Sequence, residues 1–310
     1  MKDPLMFAAP PVIETEVFAR VPDDLRVKKR DPKFAPLQRL GADRDCFLEG
    51  PAFDREGNLY VVDIPYGRIF RVSPQGEFSV AAEYDGEPNG LKIHKDGRIF
   101  LADYKNGIMQ MDPASGKVEA VEDRPRLERF KGCNDLVFAS DGDIYFTDQG
   151  QTSQQDPSGR VMRIAPDGEL ELMLSNIPSP NGLVFNHDES VLYVAVTRAN
   201  CVWQAPRYTP GGFPPKTGIF VYLNGGVGPD GMALDSEGGL AVCHPGMGAV
   251  WIFNARGEPT CRVNSCTGLH TTNLAYGGAE GKSLFITESD TGTILRAEVP
   301  VAGRPMYSHK

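Results

Sequence analysis

A polar residue recurs six times along this chain, at Glu49, Asn89, Asn134, Asn181, Asp230 and Asn273, with intervals of 40, 45, 47, 49 and 43 residues. Every one of these side chains carries a carbonyl or carboxylate oxygen. Hard divalent cations such as calcium collect six to eight such oxygens. The two carboxylates, Glu49 and Asp230, match the charge of a divalent ion, and the four asparagines add oxygens without adding charge. No His or Cys stands at any of the six positions, which argues against a tetrahedral zinc site. Asn or Asp before Gly is also an ordinary turn residue, so one copy would mean little. Six copies at a steady interval, one of them a Glu that no turn requires, point to a cation site if the fold brings them together.

The elements that must position them are legible around each copy. A repeat of 40 to 50 residues marks a repeat architecture. Eight residues after the polar position stands Gly57, Gly97, Gly142, Gly238 or Gly281, and the fourth copy has Ser190 one residue later. A short apolar run follows (59–62, 99–102, 144–147, 192–196, 240–243 and 284–287), then a polar loop and a further run. Runs of this length, rich in β-branched and aromatic residues and bounded by Gly, Pro, Asn and Asp, read as strands. Five units have a fourth run, at 78–84, 117–122, 170–174, 219–223 and 260–263. The sixth unit has no room for one before Pro300, whereas the segment 12–21 belongs to no unit. Pairing 12–21 with the sixth sheet closes the ring and protects its edges. The expectation is an all-β, six-bladed β-propeller with four-stranded blades, one domain over 1–310, closed by the N-terminal strand. In that fold the polar residue opens the innermost strand of each blade, so the six gather at one mouth of the channel. The longest connection, 22–48, reaches the same mouth and is a candidate lid.

A net charge of −9 argues against a nucleic-acid surface. The chain has no apolar stretch near the roughly 20 residues that cross a bilayer, and its first residues lack the features of a secretory signal. The six cysteines form no CxxC pair. Free thiols, a cytoplasmic location, no membrane partner and a monomer or small homo-oligomer are therefore expected.

Four segments are more specific: Glu49-Gly-Pro with Phe53, Pro180-Asn181-Gly-Leu, Pro229-Asp230-Gly-Met, and Thr272-Asn273-Leu-Ala-Tyr-Gly-Gly. With them the chain, over about residues 45–300, resembles the senescence marker protein/gluconolactonase family, regucalcin-like six-bladed propellers that hydrolyse lactones with a divalent metal. The resemblance implies metal ligation by Glu49, Asn181 and Asp230, with Asn134 as a fourth ligand or a substrate contact. It implies Ca2+, with Zn2+, Mg2+ or Mn2+ accepted by some members. Sugar-lactone members commonly carry Arg two residues before the position of Asn134, where this chain has Gly132. The segment 286–296 is more similar to the bacterial drug-responsive lactonase branch. Together these shift the expected substrate from a hydroxyl-rich sugar lactone toward a less polar or aromatic one.

The chemistry expected of such a site is lactone hydrolysis, with the metal as Lewis acid. Asp230 is general base or nucleophile, and Asn134 a donor to the developing oxyanion. Asn89, Asn273, His270 and Tyr104 are the expected substrate contacts. His244 lies in a mouth loop, and Tyr66 and Phe34 offer apolar surface. Asp135 and Asp148 read as surface turn residues, with a supporting or proton-carrying role as the alternative. Two other functions use the same features: organophosphate triester hydrolysis on the same scaffold, and a non-catalytic propeller that binds calcium or another ligand.

Overall fold

The second strand of each repeat is buried along nearly all of its length, and along all of it in Leu59–Asp63, Ile99–Asp103 and Ile144–Asp148. A sheet apolar on both faces needs a neighbour on each side. A closed ring supplies this for every blade. The computed structural model describes residues 9–28, 44–207 and 216–310. It contains six antiparallel sheets built in chain order from the inside outward. Blade one runs Leu48–Phe53, Leu59–Asp63, Arg68–Val72, Phe78–Glu83, and blades two to four repeat the pattern from Pro88, Cys133 and Pro180. Blade five begins at Met232–Leu234 and blade six at Thr271–Gly277. Each inner strand contacts the inner strands of both neighbouring blades, and blade six contacts blade one. The apolar cores lie between blades: Val62, Ile69, Leu91 and Leu101 between the first two, and Leu48, Phe70 and Ile294 between the last and the first.

The ring closes as the spare segment predicts, with one difference. Glu16–Arg20 pairs antiparallel with Thr293–Glu298 as the outer strand of blade six. Val12–Glu14 leaves that sheet and pairs parallel with Pro259–Asn264 of blade five. The N-terminal segment thus fastens two blades, because Thr15 N–H donates to Asn264 O (3.0 Å) at the crossing point. The middle of the candidate lid, 29–43 with Phe34, lies outside the described residues.

A second repeat fixes the loops at the polar mouth. The second strand ends in a fully buried acid in four blades: Asp63, Asp103, Asp148 and Glu288. Each accepts a backbone N–H just before the recurring polar position, two residues before it in blades one to three and three before Asn273 in blade six. Asp63 takes Phe47 (2.7 Å), Asp103 takes Glu87 (3.0 Å), Asp148 takes Gly132 (2.9 Å) and Glu288 takes His270 (3.2 Å). Asp148 is therefore an interior anchor, where the sequence suggested a surface turn. Its charge is met by Arg160, as that of Asp63 is met by Arg68. Burial pushes Asp63 up to about 6 even against the Arg68 charge. Asp63→Ala would strand the buried Arg68 guanidinium, so a loss of about 3–5 kcal/mol is expected in denaturant unfolding. A loss under about 1 kcal/mol would mean that the anchor contributes little.

The C-terminal tail crosses the opposite end of the channel. Arg304 N–H donates to Leu234 O (2.9 Å) and its guanidinium to Asn186 O (2.9 Å). Tyr307 stacks on Phe138 with ring centres 4.8 Å apart, and Ser308 Oγ donates to Phe53 O (3.1 Å). One segment thereby ties blades five, four, three and one across the ring.

Candidate metal centre and active site

Glu49, Asn89, Asn134, Asn181 and Asp230 line one cavity of about 430 Å³ at the polar mouth. His270 and Tyr104 line it too. The sixth member of the series, Asn273, does not, and strand register gives the reason. Pro88 pairs with the anchor Asp103, and Thr271 pairs with the anchor Glu288. Thr272 is therefore the counterpart of Asn89, and Asn273 the counterpart of Gly90. Blade six carries Thr-Asn where the other blades place the polar residue and usually Gly, which moves the visible Asn one step along the strand. Thr272 Oγ1 is occupied by Leu48 O (3.0 Å) and the Thr287 hydroxyl (2.9 Å).

The layer beneath the cavity then reads Gly50, Gly90, Asp135, Gly182, Gly231 and Asn273. Its glycines make room for its two side chains. A Cβ on Gly90 would lie 2.5 Å from Asp135 Oδ1, and one on Gly231 would collide with Asn273 Oδ1. Asn273 Nδ2 donates to Glu49 Oε2 (2.8 Å) and reaches Asp135 Oδ2 (3.4 Å). Gly50 N–H donates to the same Glu49 oxygen (2.7 Å). Asn273 is thus placed to hold Glu49 in position from below. Asp135 is 2% exposed, with Oδ1 taking Leu136 N–H (2.8 Å). It is an interior group, not a surface turn residue.

Among the described residues Lys92 is the one cation paired with these carboxylates, through Asp135, and Glu49 and Asp230 have no ion-pair partner. Burial pushes Glu49 up to about 8, helped by Asp135 and opposed by Gly50 N–H, Asn273 and Lys92. Burial also raises Asp230 well above the usual carboxylate range, Glu49 and Asp135 add to the rise, and a hydrogen bond from Asn181 opposes it. Asn134 supplies an independent observation. Its Nδ2 donates to Gln149 Oε1 (2.9 Å), and Gln149 Nε2 donates in turn to Ser179 Oγ (3.0 Å). This chain fixes the amide and leaves Asn134 Oδ1 buried with no hydrogen-bond partner. Such an orphan acceptor costs about 1–3 kcal/mol. An unpaired amide oxygen in one cavity with two charge-starved carboxylates is a donor set that fits a hard cation. Among the described residues no group of three or more His, Cys, Asp and Glu is arranged to hold a metal.

The walls divide by chemistry. Phe47, Ile64, Tyr104, Val227 and Pro245 are apolar or aromatic; Gln149, Gln151, Thr197, Arg198 and His270 are polar. Tyr104 OH accepts from Gln151 Nε2 (2.7 Å), and its ring lies where a Cβ on Gly132 would be. No side chain fits at 132 while Tyr104 holds that place. His270 is kept below its usual pKa by burial, against the pull of Asp290 at 3.7 Å. His244 is buried away from the cavity: Nε2 meets Gly225 O (2.9 Å) and Nδ1 accepts from Trp251 (3.2 Å). Tyr66 also turns away, donating to Arg44 O (2.7 Å). Cys133 is packed in the core between blades two and three, and all six cysteines are free. Among the described residues no helix is long and apolar enough to cross a membrane.

The sequence reading missed Gln149 and Ser179, which sit in non-repeating connections and leave no periodic trace. It also missed the position of Asp135, although Asn-Asp at 134–135, where three other copies read Asn-Gly or Asp-Gly, marks it.

Residues 47–290 match the SMP-30/gluconolactonase/LRE-like family. Lactonase drp35 of Staphylococcus aureus strain MW2 is 34% identical over 230 residues, covering 70% of this chain and 69% of that protein. The gluconolactonase of Zymomonas mobilis is 29% identical over 295 residues, covering 85% and 82%. In fold, the chain is similar to a calcium-binding regucalcin of Agrobacterium tumefaciens, with a TM-score of 0.76, 21% identity, and coverage of 97% of this chain and 100% of that one. The chain belongs to the SMP-30/gluconolactonase/LRE-like family.

Proposed function

We propose that this protein is a divalent-metal-dependent lactonase that opens the ring of a small, weakly polar lactone. The observation that carries the reading is the orphan Asn134 Oδ1 in one cavity with the buried Glu49 and Asp230. Relatives described as lactonase and gluconolactonase support the reaction class. Glu49, Asn134, Asn181 and Asp230 would hold the ion, with Ca2+ favoured by the all-oxygen set and by the calcium-binding structural neighbour. When bound, the ion supplies Lewis-acid polarisation of the lactone carbonyl.

The chain's own groups do the rest. Asp230 takes the proton of the attacking water as general base; its burial, and Glu49 beside it, raise its proton affinity. Asn273 and Gly50 N–H hold the Glu49 carboxylate still. The Gln149–Ser179 chain holds the Asn134 amide. Such fixed orientation lets the site act without reorganising as charge develops. Asn89 and His270 line the cavity where the ring oxygen and its substituents would lie. Tyr104, packed over Gly132, gives the substrate an aromatic wall. Tyr104→Ala is therefore expected to raise KM for an aromatic or alkyl-substituted lactone about 5–20-fold with kcat nearly unchanged, a loss of uniform binding. An equal loss on gluconolactone would contradict the wall's part in selection.

The functional test is a rate comparison on γ- and δ-lactones, sugar and aromatic, beside a phosphotriester, with ion present and with chelator. Ion-dependent turnover of lactones at rates well above the triester is expected. Faster triester turnover, or no turnover with saturating ion, would overturn the assignment.

A further inference from the structure

The inner strands present a third layer to the channel, below the glycine layer. Its residues are Ala52, Lys92, Val137, Val184, Ala233 and Ala275, and all six border the cavity on the far side of the channel. Five are small and apolar, and Lys92 is charged. A lysine in an aliphatic layer is costly unless its ammonium finds a partner. It finds Asp135, at 3.6 Å from Nζ to Oδ1. The ammonium thus rises from the apolar layer toward the carboxylates above it. Its charge is felt at Glu49, where it favours ionisation.

We propose that Lys92 is a built-in counter-cation that sets the charge of the site to accept one divalent ion. Three carboxylates, Glu49, Asp135 and Asp230, stand against one ammonium, and no other ion pair touches the three among the described residues. The deficit is two negative charges, which a single divalent ion neutralises. Without Lys92 the deficit would be three, a match for a trivalent ion. Without the Asp135 charge it would be one. Lys92 is a positioning residue in this sense: it acts on the ion through charge, and not by touching substrate. The inference rests on the metal reading given above.

Charge matching predicts opposite signs for two substitutions on one ion pair, which loss of packing does not. Lys92→Met suits the aliphatic layer in shape. It should tighten binding of Ca2+ to the otherwise intact protein about tenfold or more, measured by competition with a chelating dye, and tighten Tb3+ more than Ca2+. Asp135→Asn should weaken Ca2+ binding about tenfold or more. The double variant, with the deficit again at two, should bind Ca2+ within about threefold of the unsubstituted protein, the non-additivity of a coupled pair. Weakened Ca2+ binding in all three variants, or Lys92→Met leaving both ions unchanged, would overturn the proposal and leave Lys92 a structural residue. Failure of the metal reading has a different signature, because the unsubstituted protein would then bind no ion at all.

Discussion

Asp230→Asn is expected to lower kcat/KM for any lactone substrate by about 10³-fold or more, while the metal-free protein melts about 2–5 °C higher. Both effects come from one carboxylate. As general base it takes the proton from water, and an amide cannot. As a buried charge beside Glu49 and Asp135 it opposes folding, because burial and its two neighbours raise its pKa. An amide keeps the shape and an oxygen while removing that repulsion. Function and stability therefore move in opposite directions, as is common where an active site stores unfavourable charge. Circular dichroism melts in EDTA and initial rates with saturating Ca2+ measure the two halves. An active variant, with more than a tenth of the original rate, would remove Asp230 from the chemistry. A destabilised metal-free variant would show that the charges are not in conflict.

The second large effect concerns the ion and pH together. Chelation is expected to abolish hydrolysis, with activity restored by Ca2+ and in some measure by Mg2+, Mn2+ or Zn2+. The metal-free protein should also lose stability as pH rises. Glu49 is raised from 4.5 to about 8 in the folded state, and Asp230 is raised as well. A folded-state pKa above the unfolded one contributes stability that is fully present below the unfolded value. That contribution is lost as pH rises through the folded value. The window for Glu49 therefore runs from about pH 4.5 to about 8. Across it, the gain in melting temperature on adding Ca2+ should grow, because the ion binds the ionised carboxylates and displaces their protons. In Glu49→Gln the pH slope of the metal-free protein should flatten. A Ca2+ stabilisation that is constant from pH 5 to 8 would contradict this linkage.

Much of this site is visible in the sequence because the repeat carries it. The period located Glu49, Asn89, Asn134, Asn181 and Asp230, and the same period implied the ring that brings them into one cavity. Repetition failed at Asn273, where blade six places Thr272 at the cavity level and Asn one step beneath it. The ladder is irregular at the start of the inner strands, so consecutive residues there both face the channel and a one-residue offset drops the side chain one layer. Spacing alone does not detect it. The acids that end the second strands, Asp63, Asp103, Asp148 and Glu288, were equally periodic. They read as loop residues because an acid before a turn is ordinary, and only burial reveals them as anchors. Lys92 was hidden for another reason. Its position alternates correctly for an inward-facing strand residue, and its charge makes sense only beside Asp135, which belongs to another blade. Contacts between blades are set by closure of the ring, which no local window contains.

The most direct test of the account is to count ions. Equilibrium dialysis of the chelator-stripped protein against dilute Ca2+, read by elemental analysis, should give about one tightly held ion per chain. The Glu49→Gln/Asp230→Asn double variant should retain close to none while still unfolding cooperatively. An unchanged count in that variant would place the ion elsewhere, and no ion in the unsubstituted protein would refute the idea that these two carboxylates are gathered to hold one.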